Sequence, residues 1–278
     1  MNPISTPKKT PSIVICMTTF NRVDCARINM EIIKLNYPKQ WPIVHACSNN
    51  NWGKYLEDVL VKREPKGLQD GALDLLVNSL ETANKEFHPD FIIHIEGDTW
   101  LMNQAILEKY IEQLQNNPKK LIAAARWNQD KTLVWKKSNK VKYYLSQILK
   151  PLGLNFHVRS NNTLSSQFFI IKNDPKIIQG LKGLKSVPLT SSLETELFKI
   201  IKNNFGKSSM LFMIEREPIH PNYRDTCEAL ALYCQHSPSD KLEVIKQYSI
   251  LKKGIYMEKL ISSKDLDYYN FGARRDRD

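Results

Sequence analysis

Apolar and β-branched residues along this chain gather into short unbroken runs, and the stretches between them place apolar residues at every third or fourth position. Runs at 12–20, 42–48, 91–95, 121–126, 168–171 and 210–214 have the length and composition of strands covered on both faces. Between them, residues 25–35, 72–87, 103–115 and 193–202 carry a helical period, clearest where Leu73, Leu76, Val77 and Leu80 share one face. Punctuation agrees: Asp24 can cap the first helix, Tyr37-Pro38 stops it, and His88-Pro89 closes the second. Residues 52–66 are mixed, and a short helical piece is expected near 55–61. Strands that alternate with helices of this length predict βαβ units, hence an α/β domain with a mostly parallel sheet flanked by helices. The last fifty residues read as a helical extension ending in a charged tail.

The 278 residues, 42% hydrophobic, suffice to bury one large α/β core. A formal charge of +11 predicts an anionic partner without choosing among phosphate ligands, nucleic acid and acidic membrane surfaces. Lysines interleaved with Trp135, Tyr143 and Tyr144 over 131–150 admit a single-strand binder, but no nucleic-acid-binding signature accompanies them, which disfavours nucleic acid. That segment reads instead as a basic flap over a ligand or a contact for an anionic glycolipid. Cys16 and Cys47 lie inside apolar runs and are expected as free core thiols, while Cys227, Cys234 and His236 lack zinc-type spacing. No apolar stretch approaches the twenty residues of a membrane span, so the expectation is a cytoplasmic protein, at most held to a membrane surface by charge.

The strongest local chemistry is Ile95-Glu96-Gly97-Asp98, in which two carboxylates flank a glycine where an apolar strand ends. Open α/β sheets place ligands at the carboxyl ends of their strands. There Gly97 would let the chain turn so that Glu96 and Asp98 approach one hard cation, Mg²⁺ or Mn²⁺, bridging to phosphate.

Two further strand ends, Thr18-Thr19-Phe20-Asn21-Arg22 and Ser48-Asn49-Asn50, precede this motif in order. The set resembles the GT-A glycosyltransferases, particularly their family-2-like branch, over roughly residues 12–225. The resemblance implies a single Rossmann-like GT-A domain. Its nucleotide-sugar-binding half would span 12–128, a basic flap or insert 129–164, an acceptor half 165–225 and a helical extension 226–278. It further implies that Thr18, Phe20 and Arg22 border the nucleotide and that Asn49 or Asn50 lies beside the base or ribose. Asp98 would be the principal metal ligand, with Glu96, standing where an aspartate is usual, helping through the ribose or the ion. Asp70 would reach donor-sugar hydroxyls.

For the base that takes the acceptor proton, Glu194 and then Glu196 are the candidates, in a run resembling the acidic acceptor motif of inverting enzymes. A helix N-terminus favours the carboxylate form, although Ser191 or Ser192 followed by acids is also an ordinary helix start. His220, between two prolines, would be a further metal ligand or a diphosphate contact, with Arg216 and Arg224 near the phosphates. His45 and His94 are expected as core residues. The implied reaction uses Mn²⁺ or Mg²⁺ and moves a sugar from a UDP- or GDP-sugar to a hydroxyl of a carbohydrate acceptor, and the placement of Glu194 and Glu196 favours inversion. The rival activity, a sugar nucleotidyltransferase, would need a Gly-rich phosphate loop after the first strand, and TTFNRVDCA contains no glycine.

Overall fold

The computed structural model describes residues 10–20, 23–50, 52–97, 99–101, 104–124, 164–185, 192–213 and 231–233. In chain order these form β1 (Ile13–Thr19), α1 (Val23–Asn36), β2 (Ile43–Cys47), β3 (Val59–Lys62), α2 (Leu68–Phe87), β4 (Phe91–Glu96), β5 (Thr99–Leu101), α3 (Gln104–Asn116) and β6 (Ile122–Ala124). They continue with β7 (Phe168–Lys172), α4 (Pro175–Leu184), α5 (Leu193–Phe205), β8 (Met210–Phe212) and β9 (Ala231–Tyr233).

Seven strands make one sheet in the order β3-β2-β1-β4-β7-β6-β8. Every pairing in it is parallel except the two made by β7. The expected α/β architecture, a mostly parallel sheet flanked by helices, is therefore present. Alternate residues of each strand feed two cores. Ile15, Met17, Ile93, Ile95, Phe168 and Ile170 pack with Met30 and Ile33 of α1 and Leu107, Ile111 and Leu114 of α3. Val14, Cys16, Ile92, Phe169 and Ile171 pack with Leu73, Leu76, Val77 and Leu80 of α2, Ile177 and Leu181 of α4, and Leu197 and Ile201 of α5. Helices on both faces cover the central strands, which is why these read as continuous apolar runs.

Three details depart from the sequence reading. Residues 59–62 are a strand and not part of a helical piece: Val59, Leu60 and Val61 extend the sheet in parallel with Val44, His45 and Ala46. The Asp58 carboxylate fixes this edge by accepting from the Ile43 amide at 2.7 Å. After β7 the chain enters α4, a helix that is not among those the sequence predicts. Asp174 caps that helix by accepting from the Lys176 amide at 2.8 Å, and Pro175 supplies a φ suited to its first turn. Finally, Thr99–Leu101 pairs antiparallel with Ala231–Tyr233 in a separate two-stranded sheet.

Cys16 and Cys47 are buried free thiols, as expected. His45 and His94 are also buried core residues. His45 Nε2 lies 3.0 Å from Thr19 Oγ1, and its ring meets Trp52 edge-on at 4.4 Å, while His94 packs 4.7 Å from the Phe169 ring. Burial, helped by the Lys62 charge, pushes His45 down to about 3. Burial likewise pushes His94 down to about 3, against weaker opposing hydrogen bonds to the backbone of Ser166 and Cys16.

The topology gathers several strand ends at one edge of the sheet. The carboxyl ends of β1, β2, β3 and β4 lie together, and antiparallel β7 begins where β4 ends, with Phe168 opposite Ile95. The first residues of α5 reach the same edge, since the Leu164 amide donates to the Glu194 carbonyl at 3.2 Å.

Candidate functional site

β4 ends in a turn held from three sides. The Glu96 amide donates to the Gln167 carbonyl and the Gly97 amide to the Thr18 carbonyl, both at 2.8 Å, tying the turn to β7 and β1. On the third side lies α1. A Cβ on Gly97 would stand 2.5 Å from Thr19 Oγ1 and 2.7 Å from the Ala26 Cβ, so glycine is required here by close approach. This differs from the conformational freedom expected of it: among the described residues only Gly206 is a glycine with positive φ. Gly97→Ala should cost about 1–3 kcal/mol of stability through overpacking, measurable by urea unfolding.

Thr18 is buried at the end of β1, opposite Glu96 in register, and Phe20 just beyond it is exposed. At the end of β2, Asn49 is half-buried and Asn50 exposed. The Asn49 carbonyl accepts from the Trp52 amide at 3.2 Å and from Lys62 Nζ at 3.0 Å, which folds this loop back over β3. Thr18, Phe20, Asn49, Asn50 and Glu96 thus share the carboxyl edge. Asp70 is exposed in the first turn of α2. Arg22, Asp98 and His220 lie outside the described residues, as do Arg216, Arg224 and nearly all of the basic flap.

Glu194 and Glu196 diverge. The Ser166 hydroxyl donates to Glu194 Oε1 at 2.8 Å. Because Ser166 immediately precedes Gln167, whose carbonyl holds the Glu96 amide, Glu194 belongs to the β4 edge. The helix start is capped by Ser192, whose Oγ accepts from the Thr195 amide, so Glu194 is not consumed in capping. Glu196 is buried and paired with Lys199 Nζ at 2.8 Å on its own helix.

One part of this edge was not anticipated. Asp74, only 2% exposed in its side chain, receives Arg63 Nε and Lys66 Nζ at 2.8 Å and Lys185 Nζ at 2.9 Å. Burial alone would raise its carboxyl, but the hydrogen bonds from Arg63, Lys66 and Lys185 outweigh it and hold the group well below the usual carboxylate range. Three cations thus surround one acid beside the start of α2. Asp74 stands four positions after Asp70, but its cations come from β3's exit and the end of α4, so no local motif announces them.

No family model matches the chain, and no curated protein does. Comparison with solved structures finds likenesses at low identity. A glycosyltransferase involved in glycosylation of the major capsid of PBCV-1 is 11% identical, with a TM-score of 0.48, over 85% of this chain and 100% of that one. Glucosyl-3-phosphoglycerate synthase from Mycobacterium tuberculosis, in complex with Mn²⁺, uridine diphosphate and glucosyl-3-phosphoglycerate, is 12% identical, with a TM-score of 0.44, over 86% of this chain and 77% of that one. CMP:2-keto-3-deoxy-manno-octonic acid synthetase complexed with CTP is 9% identical, with a TM-score of 0.43, over 73% of this chain and 89% of that one.

Among the described residues no three acidic, histidine or cysteine side chains converge as a metal cage. What the edge does offer is Glu96, an oxygen donor of the kind hard cations take, at the tip of a central strand whose next acid is Asp98. That donor chemistry fits Mg²⁺ or Mn²⁺. Among the described residues, no helix is long and apolar enough to cross a membrane.

Proposed function

We propose that this protein is a glycosyltransferase that moves a sugar from a UDP- or GDP-sugar onto a hydroxyl of a carbohydrate or glycoconjugate acceptor, with inversion. The observation that carries the reading is the convergence of Glu194 with the Glu96-Gly97 turn, through Ser166 and Gln167, beside the ends of β1 and β2. Ligands of open α/β sheets bind at this edge.

In this reading the nucleotide lies across the ends of β1 and β2. Phe20 offers an exposed aromatic face to the base, with Thr18 beneath it and Asn49 or Asn50 at the base or ribose. Arg22 borders the phosphates, and Asp70 meets donor-sugar hydroxyls. Asp98 and His220 would hold the divalent ion, with Glu96 assisting, and the ion would stabilise charge on the departing diphosphate as a Lewis acid. The cationic groups of Arg63, Lys66 and Lys185 at the same edge favour an anionic leaving group. Glu194, oriented by Ser166, takes the acceptor proton as the hydroxyl oxygen attacks the anomeric carbon. Glu196, already engaged by Lys199, is the lesser candidate for that role.

The reading gives Glu194→Gln a defined signature. Transfer should slow by about 10²–10⁴-fold while donor binding persists, as expected when a general base is lost. Steady-state transfer rates and donor titration check this together, and an unchanged rate would remove Glu194 from the role. A sugar nucleotidyltransferase would instead release pyrophosphate from a nucleoside triphosphate and a sugar, so a pyrophosphate assay separates the two activities.

A further inference from the structure

Asn29 lies in the middle of α1 with no exposed surface. Its side-chain amide points at the turn after β4: Nδ2 donates to the Thr99 carbonyl at 2.7 Å and lies 3.4 Å from the carbonyls of both Glu96 and Gly97. These carbonyls stand on both sides of position 98 in the sequence. Ala26, one helical turn earlier, packs against Gly97 so closely that no Cβ would fit. Thus one face of α1 grips the turn both by shape and by hydrogen bonding.

The amide's own Oδ1 is buried without a hydrogen-bond partner. Leaving a buried acceptor unpaired is costly, so what this position uses is the donor. An amide NH₂ aimed at several carbonyls of one turn fixes where those peptides face. Loss of an outer contact that orients ligand groups typically costs about 10–100-fold in metal affinity.

We propose that Asn29 is a positioning residue, orienting the Glu96–Thr99 turn so that its carboxylates meet the divalent ion and the nucleoside diphosphate. This rests on the glycosyltransferase reading above and adds to it a residue remote in sequence, from a helix to which that reading gave no role.

The test measures Mn²⁺ binding without turnover. Free Mn²⁺ is counted by electron paramagnetic resonance in the presence of excess UDP and, separately, GDP. Asn29→Ala should weaken Mn²⁺ binding by about 10–100-fold. Asn29→Asp should weaken it further, because it sets a carboxylate against three carbonyl oxygens. Asn29→Ser, which keeps a short donor, should fall between wild type and Asn29→Ala. Ile178→Ala, a core truncation in α4, controls for lost stability and should leave the affinity unchanged. If Asn29→Ala fails to fold, Asn29→Ser carries the comparison. In the wild-type protein, the Asn29 side-chain amide resonance should shift when Mg²⁺ and UDP are added. Variants that fold and bind Mn²⁺ as wild type does, or an unmoved Asn29 resonance, would overturn the positioning role alone. A wild-type protein that binds no Mn²⁺ with either nucleotide would overturn the glycosyltransferase reading and this inference with it.

Discussion

Lowering the pH from 7 to 4.5 should remove about 5 kcal/mol of folding stability, most of it through two histidines. His45 and His94 titrate near the ordinary value of 6.5 once the chain unfolds, but in the folded core both are held at about 3, with burial as the main cause. Below pH 6.5 the unfolded chain therefore binds protons that the native protein refuses. The linkage sign is fixed: stability falls as pH falls through this window, by roughly 2–3 kcal/mol per histidine at pH 4.5. Asp74 acts in a lower window. Its depressed carboxyl stabilises the fold above the ordinary aspartate range and loses that contribution only at more acid pH. The interval between 6.5 and 4.5 thus isolates the histidines. Urea unfolding at several pH values checks the prediction, and His94→Gln should flatten the profile by about half. A midpoint that stays constant from pH 7 to 4.5 would mean that the histidines are not buried as described. A loss of this size rivals the whole stability of an ordinary domain.

The second large effect concerns activity. Asp98→Asn keeps the size of the side chain but removes the negative charge that the proposed reading assigns to the metal. Transfer should fall by about a thousandfold or more, since charge stabilisation of the leaving group by a metal is worth several kcal/mol. The folded state should survive, because the turn is fixed by the backbone of Glu96 and Gly97 and by the packing of Gly97 against α1. Circular dichroism and thermal unfolding, run beside the transfer assay, separate lost chemistry from lost fold. Near-normal activity in Asp98→Asn would remove the metal assignment.

Physical reasons decide what was legible in the sequence. β1 and β4 announced themselves because both of their faces are covered, so only His94 interrupts their apolar runs before the polar residues that end them. β3 did not, because it is a half-exposed edge strand set among charged residues, and its polar side masks the period. The direction of β7 was hidden for another reason. An apolar strand buried on both faces reads the same whether its neighbours run parallel or antiparallel. The start of α4 is marked locally by Asp174-Pro175, although the helices predicted from the sequence do not include it.

The same distinction runs through the site. Glu96 and Gly97 are adjacent in sequence, so their chemistry could be read locally. Asn29 acts on Thr99 across 70 positions, and Ser166 on Glu194 across 28, contacts that exist only after the sheet assembles. The cations around Asp74 come from two separate segments, the exit of β3 and the end of α4, and leave no spacing to find. Residue type, too, misled in one place: Gly97 suggested a special backbone conformation, whereas the structure uses its missing side chain.

The most direct test is a donor screen. The protein is incubated with each common nucleotide sugar, with Mn²⁺ or with a chelator, and released nucleotide is measured. One UDP- or GDP-sugar should release its nucleoside diphosphate only when Mn²⁺ is present, and faster when the right carbohydrate acceptor is added. Nucleotide release that proceeds equally in the chelator, or from no donor under any condition, would contradict the account.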